Sequence, residues 1–282
     1  MIIGQKELTK KLYEQIHNDE LARFIILVGP RGSGKHLVSM FIADELDAIP
    51  YWVDTKVDAI RDAITSSYKI TQPAVYMIEH ADNLSMSAKN ALLKVTEEPP
   101  NNAYFIMTVE DIVGVLGTIR SRASIFYMNQ YTPDEIEEYI DYKLSDVFNL
   151  SKFSIQILKD ICDTPGDVDL LVTNTNVEEF YNYVELVTDA IAEVSGANSF
   201  KIASKVALKD GESGYDLQLF WKAFVKICVN RALSSKKTSE DFVKYGNAIP
   251  ITGKYLQKLR VRGANKQMLM DQWILSIREA WM

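Results

Sequence analysis

At 282 residues, 47% apolar and 24% charged, the chain has room for two or three modules and the composition of an ordinary globular protein. No run of 18 or more apolar residues occurs, and the charged start MIIGQKELTKK has no apolar signal core, so a cytoplasmic protein with no membrane partner is expected. Cys162 and Cys228 lack CxxC spacing and read as buried, reduced thiols.

The net charge of −7 is unevenly spread, with 15 Lys/Arg against 7 Asp/Glu in residues 199–282 and 16 against 31 in residues 1–198. An acidic body with a basic C-terminal segment suits docking of modules or subunits, or contact with nucleic acid. The basic residues (Lys201, Lys205, Lys222, Lys226, Arg260, Arg262) are dispersed enough to be ordinary solvated helix faces instead.

In chain order, Met1-Ile2-Ile3-Gly4-Gln5 is a short apolar segment, and Leu8, Leu12 and Ile16 predict an amphipathic helix over 5–20. Phe24–Val28 predicts a buried strand running into Gly29-Pro30-Arg31-Gly32-Ser33-Gly34-Lys35, a G-x-x-x-x-G-K phosphate-cradling loop between strand and helix. The glycines let backbone N–H groups point inward, the helix adds its positive end, and Lys35 adds a full charge. His36 stands where a Ser or Thr would ligate Mg²⁺. The following helix is expected to run to about Leu46 with Leu37, Phe41, Ile42 and Leu46 inward, and Pro50 to close the unit.

Tyr51–Val53 reads as a short strand and Val57–Ser67 as a helix with Ile60 and Ile64 on one face. After Gln72-Pro73, Ala74–Ile78 predicts a second apolar strand ending in Glu79-His80-Ala81-Asp82. Leu84, Ala88, Ala91, Leu92 and Val95 share a helical stripe that stops at Pro99-Pro100. Tyr104–Val109 and Ser124–Met128 predict two more strands. Strands alternating with helices indicate a parallel sheet covered on both faces.

At Thr132 the pattern changes. Thr132-Pro133-Asp134-Glu135 is a capping box with proline at the first helical position. Helical periodicity then dominates, through Ile136/Ile140/Leu144, 155–162, 168–195, Leu217–Leu233 and Lys266–Trp281, with breaks expected at Pro165-Gly166, Gly211–Gly214 and Gly246–Gly253.

By Asp82 these residues resemble a family. The strand AVYMIEHAD, the helix SAKNALLKVTEEPP, the strand AYFIMT and the tripeptide Ser121-Arg122-Ala123 are similar to the AAA+ module of bacterial clamp-loader subunits over residues 1–170. The resemblance implies an α/β P-loop AAA+ domain over 1–130, a helical lid over 131–175 and an all-α oligomerising collar over 176–282. Within the family the likeness is to the delta-prime, non-hydrolysing stator type. Family ATPases end the second strand in Asp-Glu, the first orienting Mg²⁺ and the second activating water, whereas this chain has Glu79-His80. Thr108 matches the sensor of the γ-phosphate, and Asp169 stands where a sensor arginine would be. Three altered contributions, at positions 36, 80 and 169, argue against hydrolysis here.

Arg122 then carries the catalytic role, as an arginine finger reaching a neighbour's ATP, or else it pairs with surface carboxylates. Lys89 matches the residue coupling DNA to the catalytic glutamate, or is an exposed helix lysine. Gly29, Pro30, Arg31, Gly32, Ser33, Gly34, Lys35, His36, Glu79 and Thr108 form the nucleotide set, retained or vestigial. The resemblance allows ATP or ADP there and argues against Mg²⁺, and a cysteine-free stretch 47–73 excludes the four-cysteine zinc module of some members. The implied partners are the other subunits of a hetero-pentamer, a sliding clamp and primer–template DNA. Two other readings are a hydrolysing gamma-like motor subunit and an AAA+ scaffold outside replication.

Overall fold

The apolar run Phe24–Val28 forms strand β1 at the heart of a parallel sheet, hydrogen-bonded on one side to Ala103–Val109 and on the other to Ser124–Tyr127. The computed structural model describes residues 2–144, 148–192, 206–207, 214–236, 239–259, 261 and 263–282. They divide into two compact units, one of residues 1–139 with 164–166, the other of 140–163 with 167–282. In the first, helix α1 (Lys6–His17), β1, α2 (Lys35–Glu45), β2 (Ile49–Trp52), α3 (Val57–Ser67), β3 (Ala74–Ile78), α4 (Met86–Glu97), β4 (Ala103–Val109), α5 (Gly117–Arg120) and β5 (Ser124–Tyr127) follow in order. The sheet order is β2-β3-β4-β1-β5, all neighbours parallel.

Every residue of β1, β3 and β4 is buried, because helices cover both faces. Alternation sorts the side chains. Phe24, Ile26, Tyr76, Ile78, Phe105 and Met107 face Ile60, Ile64, Leu92 and Val95 of α3 and α4. Ile25, Leu27, Val75, Met77 and Ile106 face Leu8 and Leu12 of α1 and Val38 and Ile42 of α2. Stacked rings cross the first face from strand to strand, Phe24 on Phe105, Phe105 on Tyr76 and Tyr76 on Tyr51, with centroids 6.1, 5.0 and 5.2 Å apart.

Two expectations in this unit need correction. Leu37 is exposed and Val38 points inward, because a helix starting at Lys35 turns Val38, Ser39, Ile42 and Ala43 to the sheet. Pro50 does not close the unit but lies inside β2, which runs from Ile49 to Trp52 rather than from Tyr51 to Val53. Proline is tolerated because β2 is the sheet's edge.

The sequence-read capping box forms: Thr132 N–H and Oγ1 reach Glu135 Oε2 at 2.8 and 3.1 Å, and Glu135 N–H donates to Thr132 Oγ1 at 3.2 Å. It opens α6 (Pro133–Lys143).

The second unit is mainly helical: α7 (Lys152–Ile161), α8 (Pro165–Asn174, whose first two residues belong to the first unit), α9 (Val177–Ala192), α10 (Leu217–Ser234), α11 (Glu240–Leu259) and α12 (Lys266–Trp281). The expected break falls at residues 162–164, just before Pro165-Gly166, and the pair itself opens α8, the first-turn position where proline's missing N–H is harmless. The span read as one helix from 168 is two. Asn176 Oδ1 accepts from the N–H groups of Glu178 and Glu179 at 3.0 and 3.1 Å and caps the second.

Gly246, Pro250 and Gly253 lie within one helix. Its Ala248, Thr252 and Tyr255 are buried, and the buried Trp273 indole donates to Thr252 Oγ1 at 3.0 Å, so packing outweighs local propensity. A two-residue parallel pair, Val206–Ala207 with Tyr215–Asp216, was not foreseen. Lys201, Lys205, Arg260 and Arg262 lie outside the described residues, as do residues 193–195 and 211–213. Both cysteines are free and buried, and burial pushes the Cys228 thiol up to about 12. Among the described residues no helix is long and apolar enough to cross a membrane, and no cluster of His, Cys, Asp and Glu could hold a metal ion.

Gln5, fully buried, ties the entry of α1 to the chain leaving β5. Its amide donates to Asn129 O at 3.0 Å and accepts from Asn129 N–H at 2.8 Å. Gln5→Ala strands both backbone groups, and urea unfolding is expected to register a loss of about 1–3 kcal/mol. An unchanged midpoint would contradict this role.

Candidate functional site

The loop after β1 sits at the C-terminal edge of the parallel sheet, the usual ligand edge of such folds. Gly32 and Gly34 adopt φ of +76° and +85°, a left-handed conformation that glycine alone takes without cost. Ser33 is buried, its hydroxyl donating to Pro30 O at 2.8 Å. Gly29 N–H donates to Val109 O at 3.1 Å and anchors the loop to β4. Lys35 Nζ donates to Gly29 O at 2.6 Å and Pro30 O at 2.8 Å, so its charge sits inside the curl of the loop. Burial lowers its pKa, against the upward pull of Glu110, Asp82 and Glu79.

The back of the loop is fastened. Tyr131 Oη donates to Ser33 O at 3.0 Å, Thr164 Oγ1 to Arg31 O at 3.2 Å, and Gly166 N–H to Gly32 O at 3.1 Å. Gly32 and Gly166 touch backbone to backbone, since a Cβ on Gly166 would fall 2.3 Å from Gly32 Cα. Arg31 itself points to solvent.

His36 and Glu79 meet. Nδ1 lies 2.6 Å from Oε1, joining the start of α2 to the end of β3. The Trp52 ring stacks on the imidazole, with centroids 6.2 Å apart and planes at 24°. This donor set does not suit Mg²⁺, a hard ion that wants near-octahedral oxygen ligands. Position 36 offers imidazole in place of a hydroxyl, and the strand-end carboxylate is already engaged by it.

The next residue, His80, has φ of +51°, is exposed, and donates its backbone N–H to Thr108 Oγ1 at 3.2 Å. Thr108 is therefore buried at the end of β4 where the γ-phosphate sensor was expected, with its hydroxyl bonded to the 80 position. Asp82 accepts from Glu110 N–H at 2.8 Å and Asp111 N–H at 3.4 Å, which holds the turn after β4.

Arg122 follows α5 and stays 40% exposed. Its Nη2 pairs with Glu97 at 3.2 Å, and Nη1 donates to Thr118 O at 2.9 Å. Lys89 lies on α4, and its Nζ donates to Gly114 O at 2.7 Å. In the other unit, Asp169 pairs with Lys143 at 3.2 Å.

Sequence reasoning missed Glu97, Trp52, Tyr131, Gln5 and Gly166. Glu97 had a signal, as the first acid of Glu97-Glu98-Pro99-Pro100, but nothing in that run names its arginine. The rest act through backbone carbonyls or ring stacking, which leave no spacing pattern.

A five-stranded parallel sheet with a P-loop at the end of β1, next to the central strand β4, is an AAA+ nucleotide-binding-type fold. Among solved structures, a gamma subunit-related protein of DNA polymerase III from Thermotoga maritima shares it, with a TM-score of 0.50, 15% identity, and coverage of 97% of this chain and 99% of that one. A family model described as "DNA polymerase III, delta subunit" matches residues 53–132.

Among curated proteins, DNA polymerase III subunit gamma of Buchnera aphidicola subsp. Schizaphis graminum is 28% identical over 193 residues, 57% of this chain and 53% of that protein. DNA polymerase III subunit delta' of Yersinia pestis is 36% identical over 75 residues, 26% of this chain and 22% of that protein. The chain spans about half the length of that gamma subunit. Over these stretches the chain is similar to subunits of the bacterial DNA polymerase III clamp loader.

Inside a helix, Gly→Ala ordinarily stabilises by about 1 kcal/mol. Gly166→Ala should do the reverse, because the new methyl meets the Gly32 backbone, with an expected cost of about 1–3 kcal/mol in chemical denaturation. A gain in stability would show that the loop is not held in this way.

Proposed function

We propose that this chain is a delta-prime-like clamp-loader subunit that does not hydrolyse ATP itself and supplies Arg122 to the nucleotide of a neighbouring subunit. The observation that carries the reading is the contrast between two sites. At its own P-loop, the metal hydroxyl and the water-activating carboxylate are replaced by His36 and His80, and Glu79 is taken up by His36. At Arg122, the guanidinium is held by a surface ion pair and a carbonyl and remains 40% exposed. An exposed ion pair is worth about 0–1 kcal/mol, so leaving Glu97 for a phosphate costs little.

The three-part division into an AAA+ domain over 1–130, a lid over 131–175 and a collar over 176–282 belongs to the same proposal. So do the partners: a hetero-pentamer, the sliding clamp it opens, and primer–template DNA held through backbone phosphates, with salt-dependent affinity. ATP or ADP on the loop is compatible with the left-handed glycines and Lys35.

One observation favours a second reading. The longer curated matches carry the names gamma and tau, including a Bacillus subtilis tau subunit that is 26% identical over 239 residues. A hydrolysing subunit would need the His36–Glu79 contact to open and another group to activate water.

In a loader reconstituted with its partner subunits, Arg122→Ala should lower ATP hydrolysis at the adjoining site by roughly 10³-fold, the scale of a lost arginine finger. Stability of the variant chain should stay within about 0.5 kcal/mol, as is usual for an exposed side chain. Unchanged hydrolysis in a correctly assembled complex would remove the role given to Arg122.

A further inference from the structure

Three elements converge where a P-loop protein keeps its cation. His36 comes from the first turn of α2, Glu79 from the end of β3, and Trp52 from the edge strand β2. The 2.6 Å contact joins the only two side chains at the positions a P-loop uses for metal, so each satisfies the other. The Trp52 ring flanks the imidazole, with centroids 6.2 Å apart and planes at 24°. A divalent ion would have to break the hydrogen bond to the Glu79 carboxylate and then bind a nitrogen in place of oxygen. The hydrogen-bonded imidazole stands at the same place relative to the loop as that ion would.

We propose that the His36–Glu79 pair, backed by Trp52, is a built-in closure of the metal position, so that this loop holds a nucleoside diphosphate without a divalent cation. Phosphate binding then rests on the loop N–H groups and Lys35. It differs from an ordinary P-loop in one measurable respect: Mg²⁺ does not tighten it. The inference concerns occupancy of this chain's own loop and stands apart from the use of Arg122 on a neighbour.

The test uses the full chain and a fluorescent ADP analogue, titrated once in excess EDTA and once in excess Mg²⁺. The wild-type chain is expected to bind in both, with dissociation constants equal within about twofold. His36→Ser combined with Glu79→Asp, which restores a hydroxyl and a shorter carboxylate, is expected to bind about tenfold or more tightly with Mg²⁺ than without. Should the double variant lose its far-UV circular dichroism, His36→Ser alone at its exposed helix position serves the same comparison. Tenfold tightening of the wild-type chain by Mg²⁺ would overturn the proposal. So would absence of binding in both conditions, or a folded variant with no gain from Mg²⁺. None of these results bears on Arg122, whose failure would show only in the assembled complex.

Discussion

The site depends on one constraint of backbone pairing: β1 lies between β4 and β5 and runs parallel to both. Because Leu27 is paired with Thr108 on one side and Phe126 on the other, the loop that leaves β1 emerges beside the end of β4. The pairing of β3 with β4 then delivers Glu79 and His80 to the same edge, and the N–H of His80 closes on the Thr108 hydroxyl. Covering both sheet faces fixes this register, since a one-residue slip would exchange the two buried sets of side chains.

On that frame the phosphate loop keeps its backbone geometry while its chemistry changes. Two glycines in the left-handed region, a lysine inside the curl and clamps at Ser33, Arg31 and Gly32 are the parts that depend on fold. The parts that depend on reactivity are the hydroxyl, the metal-bound carboxylate and the base, and these are the positions that read His36, Glu79 and His80. Their replacement leaves a hydrogen-bonded pair, His36 with Glu79, at the position a P-loop uses for its ion. Phosphoryl transfer rests on positioning and charge neutralisation, so in the proposed reading the altered positions would separate holding a nucleotide from cleaving it.

The sheet unit was highly legible in the sequence. Phe24–Val28, Ala74–Ile78 and Val57–Ser67 form over the residues read from apolar runs and spacing, because buried parallel strands and amphipathic helices leave periodic traces. What could not be read was set by tertiary contact. Which of Leu37 and Val38 faces inward depends on where α2 begins. Gly246, Pro250 and Gly253 read as a break and are helical because Thr252 and Tyr255 are buried, with Trp273 bonded to Thr252. The site shows the same division. Each P-loop residue announced itself, whereas the pairing of His36 with Glu79, 43 positions apart, required the sheet order to be known. Arg122 was found through its tripeptide, and its partner Glu97 only through distance.

The proposed reading is that the loop of this chain does not turn over ATP and that Arg122 acts on a neighbour's nucleotide instead. Steady-state ATP hydrolysis by the isolated full chain, with Mg²⁺ present and the product assayed directly, tests it most plainly. The account predicts no phosphate release above the protein-free blank. Sustained turnover of roughly one per second, within the ordinary range of enzymes, would contradict it.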